Sequence, residues 1–294
     1  MKNLTRKLLM SIIATAFALV AFGTSTYAWF SLNKIAKVEG MELQVITESD
    51  MLIGKLSEVA TDNAIDIDSK NFKTTLDLST EEPVTITATS SVDGINFFKA
   101  TGAINGAGEN EGTYEAVENP VESTKTHYYK QYDFVIKYTN PSTTDQTVDV
   151  TQLDLKYSGA VDPSRAFRIA FITTSCTTTV TNGEVTSSVI DGIATSQGVY
   201  KHESAQYFET NKAIKSVEAK DTITDISEHL FDCPAGKVTF VKVSAVIWLE
   251  GEDSTCRSDI FANLTDSWTL TFKIARTGVD GENKISTLNL LTNN

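Results

Sequence analysis

The sequence predicts an all-β protein: a jelly-roll-like antiparallel β-sandwich with one or two short helices set in loops. Three observations predict it. Apolar and polar residues alternate with period two in many short segments, turn residues separate those segments, and helical periodicity is rare. The 294 residues are 41% hydrophobic and 21% charged, a composition that can bury a core and does not read as disordered.

The first element is a leader, MKNLTRKLLMSIIATAFALVAFGTSTYAWF. Lys2, Arg6 and Lys7 form a basic start, residues 8–22 an apolar run, and Thr26-Tyr27-Ala28 a small-residue cleavage site. This is the layout of a secretory signal peptide covering residues 1–28. Its apolar run is shorter than the ~20 residues that span a bilayer. Residues 29–294 are therefore expected to form a single secreted domain, extracellular or at the cell surface. Only an uncleaved signal peptide would tie it to a membrane.

Next comes an arm, residues 29–47, with Trp29 and Phe30 at its start. Met41, Leu43 and Val45 alternate with Glu42, Gln44 and Ile46, the pattern of a half-buried strand. Residues 84–89 (VTITAT) set Val84, Ile86 and Ala88 against three threonines. Residues 131–138 send Tyr132, Phe134, Ile136 and Tyr138 one way, and Asp133 and Lys137 the other. Asn140-Pro141-Ser142 breaks that segment, and residues 147–157 resume β character.

In the second half, residues 166–173 alternate Phe167, Ile169 and Phe171 with Arg168 and Ala170. Asn182-Gly183 is a hairpin signal, because both turn positions tolerate positive φ. Residues 238–249 are apolar on both faces and read as a central strand. Residues 267–275 place Trp268, Leu270, Phe272 and Ile274 on one face and Thr269, Thr271 and Lys273 on the other. Short helices are expected within 253–264 and 204–219, and residues 102–112 read as a loop rich in Gly, Asn and Glu.

The net charge of −13 argues against nucleic acid and against anionic membranes, since both need positive charge. Three cysteines are too few for a disulfide scaffold. Export permits one bond, and Cys233–Cys256, flanking the central strand, is the leading pairing, with pairings through Cys176 as alternatives.

No H-E-x-x-H, G-x-S-x-G, S-x-x-K or phosphate-binding glycine loop is present. His127, His202 and His229 stand apart in sequence. His229 lies four residues before Cys233, but Phe231-Asp232 before Pro234 reads as a turn. The chain is thus expected not to be an enzyme and to need no cofactor.

One exception is weighed. Glu250, Glu252, Asp253 and Asp259 gather after the central strand, and Asp62, Asp66 and Asp68 form a second acidic group. Hard oxygens converging in a loop suit Ca²⁺, which takes about six to eight, although neither group has EF-hand spacing. A solvated acidic loop is the plainer reading of both. Phe97-Phe98 and Tyr128-Tyr129 are the aromatics a sugar-binding surface would use; core packing is the plainer reading there too.

The junction TSTYAWFSLNKIAKVEGMELQV resembles the start of the TasA/camelysin-like exported proteins of Gram-positive bacteria. The matching positions are Ala28, Trp29, Phe30, the polar stretch 31–37 and the strand around 41–46. YDFVIKYTN at 132–140 resembles that family's strand running into an Asn turn, and IWLEGEDSTC at 247–256 is similar to a segment of Firmicute surface proteins.

The resemblance implies a jelly-roll-like sandwich, export, and assembly into matrix fibres by donation of an N-terminal strand to the next subunit. Camelysin relatives are described as metalloproteases. This sequence carries no zinc motif, so that activity is not carried over. The expected function is a structural protein of the cell surface or biofilm matrix that self-associates into an oligomer or fibre. The alternative is a secreted adhesin or carbohydrate-binding module.

Overall fold

The computed structural model describes residues 36–38, 41–46, 51–74, 76, 84–100, 114–117, 126–157, 166–201, 220–221, 224–251, 268–277 and 287–292. The leader, Trp29, Phe30, the 102–112 loop and both segments expected to hold helices lie outside the described residues.

The chain opens with β1 (Ala36–Val38), β2 (Met41–Ile46) and β3 (Met51–Lys55), then a single helical turn α1 (Leu56–Val59). Short strands follow: β4 (Ala60–Thr61), β5 (Ala64–Ile65), β6 (Val84–Ile86), β7 (Ser90–Ser91), β8 (Phe97–Ala100), β9 (Tyr114–Val117) and β10 (Thr126–His127). The long strands are β11 (Tyr129–Thr139), β12 (Gln146–Tyr157) and β13 (Phe167–Thr181), followed by β14 (Glu184–Ile190), β15 (Thr195–Lys201) and β16 (Lys220–Asp221). The last are β17 (Thr224–Cys233), β18 (Val238–Leu249), β19 (Trp268–Thr277) and β20 (Thr287–Thr292).

Two large sheets result. The first runs β3-β11-β18-β13-β14-β5-β4, with β15 also on β13 and β16 on β15. The second runs β17-β12-β19-β20-β2. Two small sheets, β1-β6-β10 and β7-β8-β9, flank them. The fold is all-β, antiparallel in both long ladders, and sandwich-like.

β18 is central because both of its alternating residue sets are apolar and β-branched or aromatic, which suits a strand covered on both faces. It pairs with β11 from Tyr129↔Trp248 to Thr139↔Val238 and with β13 from Phe167↔Leu249 to Ser175↔Val241. Val241, Val243, Ala245, Ile247 and Leu249 pack with Phe134, Ile136, Phe167, Ile169 and Phe171 in one core cluster. Val148, Val150, Leu230, Phe231 and Ile274 of the second sheet join the same cluster.

The other face of the first sheet is also covered. Ala170, Ile172, Val246 and Trp248 meet Phe97, while Val135 and Phe240 meet Val59, Ile65, Phe72 and Ile190. The expectation of a one-sided strand at 131–138 is corrected here: Val135, between Asp133 and Lys137, is as buried as Phe134. Lys137 fits this covered face because its ammonium donates to the Ile67 carbonyl at 2.8 Å and lies over the rings of Phe72 and Phe240.

The Asn182-Gly183 hairpin forms as expected. Thr181 pairs with Glu184, and the two turn residues sit at φ 53° and 87°, the left-handed values a two-residue turn needs. The segment before Pro234 differs from expectation. Phe231 and Asp232 lie within β17, not in a turn, because Gln146, Thr147 and Val148 of β12 take Cys233, Asp232 and Phe231 as ladder partners.

Candidate functional site

The arm singled out by sequence is placed in two strands. Ala36–Val38 pairs antiparallel with Val84–Ile86. Met41–Ile46 pairs antiparallel with Thr287–Thr292, Met41 opposite Thr292, Leu43 opposite Leu290 and Val45 opposite Leu288. The arm therefore completes sheets of its own chain in this structure. β2 is the outermost strand of the second sheet, and β20 is its sole ladder partner among the described residues. Its alternation of apolar and polar residues is what fits it to a sheet edge.

The acidic group after the central strand is divided. Glu252, Asp253 and Asp259 lie outside the described residues. Glu250 is buried, and its carboxylate accepts the Trp248 indole N–H at 3.1 Å and the Ser91 amide at 3.4 Å. Its backbone is tied too: Glu250 N donates to Ala166 O at 2.7 Å, and Gly251 N to Thr89 O at 2.8 Å. Glu250 thus joins the end of β18 to the β7 hairpin and points into the fold. This placement corrects its assignment to an open loop.

In the second acidic group, Asp62, Asp66 and Asp68 are all exposed. The Asp66 carboxylate accepts the Asp68 amide at 3.2 Å, a local turn bond. Among the described residues, no three His, Cys, Asp or Glu side chains converge as a metal ion requires.

Cys233 stands as a free, fully buried thiol. Its Sγ lies 3.0 Å from Thr239 Oγ1, with the carbonyls of Lys237 and Tyr138 at 3.7 and 3.9 Å. Cys256, expected as its disulfide partner, lies outside the described residues. Cys176 is also free and half-buried; burial pushes its thiol up to about 11. Burial raises the Cys233 thiol as well, against a lowering by the Thr239 hydroxyl.

The thiolate is the reactive form, and with a pKa near 11 about one Cys176 in a thousand carries it at pH 8. Iodoacetamide is therefore expected to label Cys176 and Cys233 slowly in native protein and fully in denaturant, as read by peptide mapping. A Cys233–Cys256 peptide in the non-reduced map would overturn the free thiol.

His229 and Cys233 are four residues apart on one strand, about 13 Å at strand rise, which removes the Cys–His pair. His229 instead lies between Asp149, which is buried, and Asp232, at 3.7 Å from each. His127 sits on β10, in a different sheet; burial and the nearby Lys130 hold its pKa below the usual histidine range. His202 lies outside the described residues.

Two of the four aromatics weighed for a sugar surface, Phe97 and Tyr129, pack instead. Phe97 is buried, stacks on Tyr129 at 4.3 Å and meets Trp248 edge-on at 5.4 Å. The cluster of Trp248, Glu250, Ser91 and Phe97 was missed by sequence reasoning, since Ser91 and Glu250 are 159 residues apart.

Among the described residues, no helix is long and apolar enough to cross a membrane. No known family profile matches the chain, and no characterised protein sequence matches it.

Proposed function

We propose that the chain is a secreted structural protein of the cell surface or extracellular matrix, whose copies join through the N-terminal arm. The observation that carries this reading is the place of β2, an edge strand of the second sheet with a single ladder partner among the described residues. A strand so placed can be exchanged for the same strand of a neighbour with every ladder bond conserved. The exchange then leaves each subunit with one donated and one accepted strand. If the rotation between neighbours does not close, the product is a filament. The leader and the all-β fold support the same reading, because fibre subunits act outside the cell and present sheet edges.

The test is negative-stain electron microscopy of protein starting at Trp29, beside protein lacking residues 29–47. Fibres are expected from the first and monomers from the second. Fibres that survive the deletion, or monomers in both preparations, would overturn the arm as the joint.

A further inference from the structure

We infer that the tip of the β13–β14 ribbon is a second self-association surface, on which the same ribbon of another copy adds as an antiparallel strand. This goes beyond the arm and does not depend on it.

The inference starts from how the sheet edges are defended. β17, at one edge of the second sheet, pairs with β12 through two register shifts and carries Glu228, His229 and Asp232. Bulges and charges of this kind block edge-to-edge pairing. β3, at one edge of the first sheet, is bridged at Ile53 by Lys73 through two backbone bonds of 2.8 and 2.9 Å.

The ribbon has neither defence along β13. Pairing of β13 with β18 stops at Ser175 and with β15 at Thr173, while β14 meets β5 only at Ser188 and Val189. Among the described residues, 177–181 of β13 pair only with β14, from Thr177↔Val189 to Thr181↔Glu184. Ser175 accepts the Gly192 amide on the β14 side at 3.1 Å. Strand alternation then turns the N–H and C=O of Thr178 and Val180 to the outer edge of β13. The register shift between Thr179 and Val180 leaves Thr186 as the extra residue, so the irregularity belongs to β14 and β13 is the straighter edge.

Composition selects the occupant. Residues 177–187 (TTTVTNGEVTS) hold one charge, Glu184, in a chain of net charge −13. Two copies repel over most of their surface, and a nearly neutral β-branched strip is where they meet at least cost. A two-stranded ribbon is also marginal alone and gains from added strands. Val180 is 50% exposed. A two-fold axis near it sets Val180 against its own copy, bonds the outward backbone groups in pairs and covers that side chain.

Sedimentation equilibrium on the chain from Trp29, and on the same chain without residues 29–47, tests this. A dimer is expected in the arm-deleted chain, and as the building block of any larger species in the other. Val180→Glu, which places two carboxylates face to face, is expected to weaken the dimer at least about tenfold. Val180→Pro, which removes an outward N–H, should do the same while circular dichroism stays unchanged. Arm-deleted protein that remains monomeric up to about 100 µM, or a dimer indifferent to both substitutions, would overturn the inference. Fibres lost on arm deletion with the dimer retained would bear on the arm alone and leave the ribbon contact standing.

Discussion

Trp248→Ala is expected to lower stability by about 3–5 kcal/mol, the range for emptying a large aromatic site in a core. Trp248 is fully buried on the outer face of β18, edge-on to Phe97, and packed with Ala170, Ile172 and Val246. Its truncation opens a void between the first sheet and the β7-β8-β9 hairpin, and it removes a donor from the buried Glu250 carboxylate. Trp248→Phe keeps most of the ring and loses the N–H, so about 1–3 kcal/mol is expected. Thermal unfolding followed by circular dichroism ranks the two. Equal losses would mean that the hydrogen bond, not the volume, dominates the site.

Gly94→Ala is the second large effect. Gly94 has φ +72°, and a Cβ there would lie 2.4 Å from the Cβ of Ala170. The left-handed backbone alone costs an alanine about 1–2 kcal/mol, and the overlap adds about 1–3 kcal/mol of overpacking. The loop has little room to retreat. Ser91 Oγ accepts the Gly94 amide at 2.9 Å, and the Asp93 carboxylate accepts the amides of Ile95 and Asn96 at 2.8 and 2.7 Å. Gly183→Ala and Gly236→Ala are the controls, since both sites have positive φ and nothing within 4 Å of a Cβ. A loss at Gly94 no larger than at those two would show that the close approach to Ala170 relaxes freely. Chemical denaturation at fixed pH measures all three.

The elements legible in the sequence are those whose signal is local. β11, β12, β13 and β19 announce themselves by alternation, β18 by a long run apolar on both faces, and Asn182-Gly183 by its tolerance of positive φ. β17 was obscured because Pro234 suggests a turn that begins earlier than it does; the ladder with β12 runs on to Cys233 itself. β3 carries Gly54 among its five residues, which weakens any strand reading. The glycine is required by packing, since a Cβ there would fall 2.3 Å from Val59.

What covers the outer face of the first sheet could not be read, although the two apolar faces of β18 call for a cover. It depends on which distant segments return to it, such as Phe72 against Phe240 and Phe97 against Trp248. The site was legible only in part for the same reason. The strand at 41–46 follows from alternation, whereas its partner 241 or more residues away does not, and the inward turn of Glu250 follows from contacts with Trp248 and Ser91 that no spacing rule encodes.

The pairing of β2 with β20 also fixes an order of events. β2 and its ladder partner at Thr287–Thr292 are 241 or more residues apart, so β2 waits while all the chain between them is made before that pairing can form. Contacts of such long separation are the slow ones in folding, because the chain between them must first be ordered. During that wait β2 is an unpaired, alternating strand attached to a nearly finished sandwich. Whether it meets its own chain or a neighbour's is then a race between an intramolecular closure and an encounter that grows with concentration. The local concentration of newly made chains, more than the sequence of the strand, sets the winner.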